Sequence, residues 1–505
     1  MQSVPIEQRS GFVELNEDIT HSPLYNADLA PTTLAQRKWS VFSIAALWIS
    51  MSACITTYTL ASSLITNGMN WWEAVLTIFL GNAIVLIPMV LNAHAGTKYG
   101  IPFPVYCRAS FGTSGANVPA MLRALVACGW FGIQTWIGGT ALLAVAAAFF
   151  PSVVSADHAK VLGITGPEFL AFMIFWGINM IVIYAGINSI RMLLNVKAPL
   201  LILLGLLLLG WAYNRAGGFG PMMSQPSAFA PGQPQAGHFW GFFFPALTGV
   251  VGYWATLSLN IPDFTRYARS QRDQVLGQAL GLPTTMALYS FIGVAVTSAT
   301  IVIFGHAIWE PVALLSTFHS KITIVIAMGS IAVATLATNI AANVVSPAND
   351  FAHLAPKAIS FRIGGFITGV IGIVMMPWKL YADPHGYIFT WLIAYSALLG
   401  AIGGILICDY FLLRRTHLRL AELFNPKGAY TYANGTNYRA VIALVLAVLP
   451  CLPGFLHVVN IVHAVPAILD QIYTYAWFVT FFLAFVIYFV LMIGYENVNE
   501  EFSHE

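Results

Sequence analysis

Charge is what this sequence lacks. Only 8% of its 505 residues are Asp, Glu, Lys or Arg, against roughly 25% in a soluble globular domain. A water-facing surface cannot be assembled from so little charge, so most side chains must face lipid or one another. No basic block stands out among the 22 Lys and Arg, which excludes nucleic acid as a partner. Cysteine is scarce too. Cys54, Cys107, Cys128, Cys408 and Cys451 show no CxxC pair and no metal-ligand spacing, so neither a disulfide framework nor a bound metal is expected. Four of them sit in apolar runs and read as small packing residues. Residues 1–38 carry Glu14, Glu17 and Asp18 and no apolar stretch, so a cleavable signal peptide is not expected.

What is present is apolar. Hydrophobic residues make up 58% of the chain, and its mean hydropathy is +0.75. A bilayer-spanning helix needs about 20 apolar residues. Such runs occur near 41–66, 71–95, 119–149, 169–188, 198–213, 239–262, 280–304, 321–345, 363–378, 386–412, 438–460 and 470–494. They predict an all-α integral membrane protein of twelve spans. Arg191, Lys197 and Pro199 mark the break between the fourth and fifth. If the N-terminus is cytoplasmic, Arg37, Lys38, Lys98, Arg108, Arg266, Arg269, Arg272, Arg414 and Arg415 all fall inside, while only Lys160, Arg215, Lys321 and Lys379 fall outside. That bias places both termini in the cytoplasm of a cell whose inner or plasma membrane holds the chain. Residues 96–118, rich in Gly, Pro and Ser, predict an inside loop folded back against the membrane face. Residues 214–238 predict a plain solvated loop outside.

The span centres carry no Asp, Glu, Lys or Arg, so a carboxylate proton relay or gating-charge helix is not expected. No HExxH or His/Asp cluster suggests an enzyme. Glu73 opens the second span, and Asp263 and Asp409 sit at span ends. Uncharged polar groups remain. The third span reads GWFGIQTW, in which Trp130 and Gln134, four apart, share a helix face. An indole beside an amide suits a flat, polar-edged ligand, but the same pair also suits a packed Trp and a Gln bonded to a neighbouring helix. The sixth span carries Gly249, Gly252, Pro262 and the polar Thr256, Ser258 and Asn260; the first, SIAALWISMSACITTYT, is crowded with Ser and Thr. Interrupted spans opening two five-span halves point to an inverted-repeat transporter with a midplane site, or to close packing of small residues. The eighth span places Thr335, Thr338, Asn339 and Asn343 in one short stretch, which lines a cavity or bonds a neighbour.

The segments NADLAPT, HAGTKYGIPFPV, RASFG, ANVPAMLRA, WFGIQTW, NIPDFTRYA, TNIAANVVSPA, MPWK and CDYFLLRR resemble the nucleobase:cation symporter-1 family over residues 28–430. The resemblance implies a LeuT-like fold of two inverted five-helix repeats with two additional C-terminal transmembrane helices. The chain then divides into a cytoplasmic segment 1–38, a ten-helix transport core 39–412, a cytoplasmic linker 413–437, two further helices in 438–494, and a tail 495–505.

It also implies a cation symporter that imports uracil, allantoin or a hydantoin by alternating access, with no cofactor and no covalent chemistry; a monomer would suffice. Trp130 and Gln134 match the family's stacking Trp and pairing Gln. Trp254, with Tyr253 beside it, matches the second stacking Trp. Asn343 matches the ligand-pairing Asn, and Leu392 the residue that closes over substrate. Cys54 stands where a hydrogen-bonding residue is usual. For a sodium ion, the matching carbonyls belong to Ser50, Ala53 and Ala334 and one hydroxyl to Thr338; Ala337 stands where the second hydroxyl belongs. The co-transported ion is therefore sodium or a proton. Rival readings are a permease of the same family for cytosine, thiamine or a pyridoxine-like ring, and a passive facilitator or channel.

Overall fold

In lipid a backbone must satisfy its own hydrogen bonds, and this chain does so with helices. The computed structural model describes residues 7–8, 11–155, 158–185 and 187–495, the side chains of 187–198 excepted. The first apolar run forms α1 (Val41–Ser52) and α2 (Ile55–Thr66), bent by 58° at the break between them. Then follow α3 (Trp71–Tyr99), the short α4 (Phe103–Phe111), α5 (Asn117–Phe149), α6 (Gly166–Ala185), α7 (Ile187–Ala216) and a short α8 (Phe219–Met223). The sixth run is cut into α9 (Phe239–Tyr253), α10 (Ala255–Asn260) and α11 (Pro262–Thr265). Beyond it lie α12 (Gln271–Phe304), α13 (Pro311–Ser316), α14 (Lys321–Asn343), α15 (Val345–Leu354), α16 (Phe361–Val374), α17 (Pro377–Leu380) and α18 (Pro384–Gly386). After a π-helical turn, Tyr387–Leu392, come α19 (Ile393–Ile407), α20 (Tyr438–Val448), α21 (Leu452–Val458), α22 (Ala467–Thr474) and α23 (Ala476–Met492).

Eight of the described helices are long and apolar enough to cross a membrane, ten if each of two bent pairs is one span. The apolar helices Phe239–Tyr253 and Phe361–Val374 are shorter. The inside of the molecule is formed by α2 and α10: Ile55–Ile65 and Ala255–Asn260 are buried throughout. The outer helices show the opposite pattern. Ile181, Leu203, Leu207, Ile326 and Val490 are all more than half exposed, an apolar belt that only lipid would cover.

Local sequence explains several boundaries. Asn70 and Glu73 form a reciprocal capping box at the start of α3, Glu73 N–H donating to Asn70 Oδ1 at 3.0 Å and Asn70 N–H to Glu73 Oε2 at 2.9 Å. The carboxylate that opens the second apolar run is thus a helix cap.

Five sequence expectations need correction. Residues 96–118 are not a loop: α3 runs to Tyr99, and every residue of α4 is buried. Gly100 and Gly112, with φ of +70° and +93°, turn the chain on either side of α4, so the Gly/Pro density marks helix ends. The 214–238 segment is not wholly solvated. Ala228 N–H donates to Gly68 O at 2.8 Å, and the buried Phe229 ring stacks on Phe242 at 5.5 Å. No break occurs near Arg191, Lys197 and Pro199, because α7 is helical from Ile187 through Pro199; the side chains of Arg191 and Lys197 lie outside the described residues. The last run bends by 89° between α22 and α23. Finally, α14 and α15 together make a candidate span reaching Leu354, which carries Asp350 into the helical layer. There it pairs with Arg123 at 3.3 Å, both side chains fully buried. The apolar run 321–345 thus stops short of the helical segment, and Asp350 and Arg123 both lie near helix ends.

Candidate functional site

Two helix breaks define the site. At the first, Ala53 (φ −75°, ψ 85°) and Cys54 (φ −150°, ψ 162°) leave helical geometry between α1 and α2. At the second, Trp254 (φ −101°, ψ 6°) separates α9 from α10. Gly252 permits the second break to pack: a Cβ there would lie 2.7 Å from the carbonyl of Leu392, and the Tyr395 hydroxyl donates to Gly252 O at 2.8 Å. Opened backbone of this kind is tolerated at membrane depth where it lines a cavity.

A small cavity lies against both breaks. Cys54 and Thr56 face it from the first, Tyr253, Trp254 and Thr256 from the second, Trp130 and Gln134 from α5, and Thr338 and Asn343 from α14. The sequence thus places Trp130, Gln134, Tyr253, Trp254, Asn343 and Cys54 around one space. Leu392 lies outside that lining. It is buried behind α9, where Gly249 and Gly252 back onto it.

Hydrogen bonds order the wall. Gln134 Nε2 donates to Thr56 Oγ1 at 3.3 Å. The Tyr253 hydroxyl is 2.8 Å from Thr56 Oγ1, 3.2 Å from Thr57 Oγ1 and 3.4 Å from Cys54 Sγ. Three polar atoms of this wall, Trp130 Nε1, Gln134 Oε1 and Trp254 Nε1, are buried without a partner. Leaving them so costs free energy unless a ligand or water meets them. The Trp130 ring is held edge-on by Tyr253 at 5.3 Å and Trp391 at 6.0 Å. Trp254 is held by Trp48 at 5.2 Å and Tyr253 at 5.0 Å. Both indoles are therefore fixed by aromatic neighbours before any ligand arrives.

The residues matched to a sodium ion divide between two helices. Ser50 lies in α1 and Ala53 just beyond its end; Ala334, Ala337 and Thr338 lie along α14, which touches α1. The Thr338 hydroxyl donates to the carbonyl of Ala334 at 2.9 Å. Ala337 is buried and contributes only a methyl group. This donor set is one side-chain oxygen short of the one the resemblance implies.

Sequence reasoning missed two residues that order the wall. Thr56, which positions Gln134, was visible only as part of a Ser/Thr-rich stretch. Asn179 in α6, bonded to Asn339 at 3.1 Å, gave no signal, since a lone Asn has no periodicity to betray it. Among these lining residues there is no paired acid and base and no activated nucleophile. The wall can stack a ring and pair with its polar edge.

The chain is similar to known proteins along most of its length. The family described as "permease for cytosine/purines, uracil, thiamine, allantoin" matches residues 31–480. The chain is 44% identical over 471 residues to a purine-uracil permease of Arabidopsis thaliana, covering 93% of this chain and 78% of that one. It is 39% identical over 471 residues to an allantoin permease of Bacillus subtilis, covering 93% of each. Its fold is similar to the inward-facing conformation of the transporter Mhp1, with a TM-score of 0.75, 26% identity and 94% of both chains covered. A second structure of Mhp1, described as a nucleobase-cation-symport-1 family transporter, is closed with bromovinylhydantoin bound. It matches with a TM-score of 0.73 and 25% identity, covering 95% of this chain and 99% of that one.

Proposed function

Because this chain belongs to the family of permeases for cytosine/purines, uracil, thiamine and allantoin, we propose that it is a secondary active transporter for a small planar lactam heterocycle. Uracil, allantoin or a hydantoin is imported by alternating access, together with a cation. The observation that carries this reading is the cavity at the two helix breaks. Its fixed indoles, Trp130 and Trp254, offer flat faces, and its amides, Gln134 and Asn343, offer edge contacts. Stacking and amide pairing recognise a neutral ring. An amino acid would need charged or helix-end partners for its ammonium and carboxylate.

The wider arrangement belongs to the same proposal. The chain crosses the plasma membrane twelve times with both termini cytoplasmic. Ten spans within 39–412 form a five-plus-five inverted repeat, residues 413–437 link it to two further helices in 438–494, and Leu392 reaches the ring only when the site closes. The co-transported ion is sodium or a proton; Ala337 weakens the case for sodium.

The test is uptake of labelled uracil into proteoliposomes, competed by hydantoin, allantoin and cytosine, with and without a sodium or a proton gradient. Accumulation above the outside concentration that depends on one gradient is the expected result. Uptake that never exceeds the outside concentration would instead identify a passive facilitator. Competition by cytosine alone, or by thiamine or a pyridoxine-like ring added to the same panel, would keep the family and change the substrate.

A further inference from the structure

Behind the cavity wall, three amides from two helices are joined in one direction. Asn179, Asn339 and Asn343 are all buried. Asn179 Nδ2 donates to the backbone carbonyl of Phe175 at 2.8 Å. A carbonyl oxygen only accepts, so the NH₂ end of Asn179 must point there and its Oδ1 must point away. That Oδ1 accepts from Asn339 Nδ2 at 3.1 Å. Asn339 has a second, independent anchor: its Nδ2, whose two hydrogens are shared among three acceptors, also lies 3.2 Å from the carbonyl of Phe131 and 3.1 Å from Thr135 Oγ1. The Thr135 hydroxyl hydrogen is itself committed to Phe131 O at 2.7 Å, leaving its oxygen to accept. The amide of Asn339 is therefore oriented from both sides, and its Oδ1 accepts from Asn343 Nδ2 at 3.1 Å. Asn343 lines the cavity. Its NH₂ end is turned to the chain behind it, with one of its two hydrogens committed there, so its carbonyl end is the one turned away from that chain. Reversing any one amide would set oxygen against oxygen in a dry interior, which is costly.

We propose that Asn179 and Asn339 form an amide relay, anchored on the carbonyls of Phe131 and Phe175, that presents the Asn343 carbonyl to the cavity and makes the site select a ring N–H over a ring nitrogen lone pair. This rests on the reading of the cavity as the heterocycle site. Gln134 is turned the same way, since one N–H of its Nε2 is bonded to Thr56 and its buried Oε1 has no partner. Two acceptors then face a ring with N–H groups along its edge. Uracil, hydantoin and allantoin carry such groups flanked by carbonyls; cytosine keeps N1–H and an amino group but presents a lone pair at N3, where uracil has an N–H. Asn179 and Asn339 are positioning residues that touch no ligand.

The test compares affinities of the purified protein in proteoliposomes for uracil, hydantoin, allantoin and cytosine. The wild type is expected to bind the tightest of the first three at least about 10-fold better than cytosine, because an unpaired buried acceptor penalises the wrong edge. Asn339→Leu frees Asn343 to turn over, and the preference ratio is expected to fall by on the order of 10-fold. Asn179→Leu, which leaves the Phe131 anchor intact, shifts the ratio the same way by less and serves as a second variant if Asn339→Leu does not fold. Loss of affinity for all rings by the same factor, with the ratio unchanged, overturns the relay while leaving the binding site standing. Equal wild-type affinity for both edge types also overturns it. Binding of none of the four rings overturns the cavity reading itself.

Discussion

At the residue scale the site depends on a few side chains whose partners are already set. Gln134 is tied to Thr56 through its NH₂ end, so truncation removes both the edge contact and the group that orients it. Gln134→Ala is expected to abolish high-affinity uptake while the protein still reaches the membrane; normal uptake in transport assays would remove Gln134 from the site. Trp254 is buttressed by Trp48 and Tyr253 and offers a face rather than a hydrogen-bond code. Trp254→Ala should weaken ligand binding by roughly 1–3 kcal/mol, the worth of one stacked base, measurable by titration calorimetry. Ala337 supplies no oxygen beside Thr338. If the ion match holds, Ala337→Ser creates or strengthens sodium dependence of uptake; the absence of any sodium response in both forms would point to protons.

At the element scale, glycines decide how close helices come. Along α19, Gly404 lies against α23 so tightly that a Cβ would stand 2.2 Å from the carbonyl of Phe481. Backbone cannot give way as a flexible side chain does. Gly404→Ala should lower stability by about 1–3 kcal/mol, seen as a lower Tm in detergent. Because neither α19 nor α23 contributes a residue to the cavity lining, ring selectivity should be unchanged. Much of this scale was legible in the sequence. The Ser/Thr crowding near Cys54 and the Gly249, Gly252 and Pro262 punctuation coincide with real breaks. The 96–118 segment was misread because its glycines and prolines lie at the ends of α4, and composition alone does not distinguish a loop from a short capped helix.

At the scale of the whole molecule, burial acts on charge. Glu310 lies outside the apolar helices, between α12 and α13. It lines a small cavity with Ile55, Trp136, Thr140 and Tyr381, close to the start of α2. Burial raises its carboxyl from 4.5 to about 7. A raised acid pKa means that the folded state holds its proton more tightly than the unfolded chain does. Between about pH 4.5 and pH 7 the unfolded chain ionises first, so this group's contribution to stability falls as pH rises through that window and is level above it. Tm measured from pH 4.5 to 8 should show that decline in the wild type, and Glu310→Gln should flatten it; identical profiles would show that Glu310 is not the group responsible.

The sequence by itself determined the solvent and the class. With 8% charge and apolar runs from residue 41 to 494, the chain has to be helical in lipid, and its motifs fix the family. The residues around the cavity were also nameable, since Trp130 and Gln134, or Asn339 and Asn343, are one helical turn apart. Tertiary structure alone decided what those residues offer a ligand. It brought Thr56 to Gln134, hid Leu392 behind α9, and buried Arg123 against Asp350. It also set Asn179 behind Asn339, and so turned Asn343. An amide's two ends are chemically opposite but share one letter in the sequence, and only the carbonyls of neighbouring helices determine which end faces the cavity.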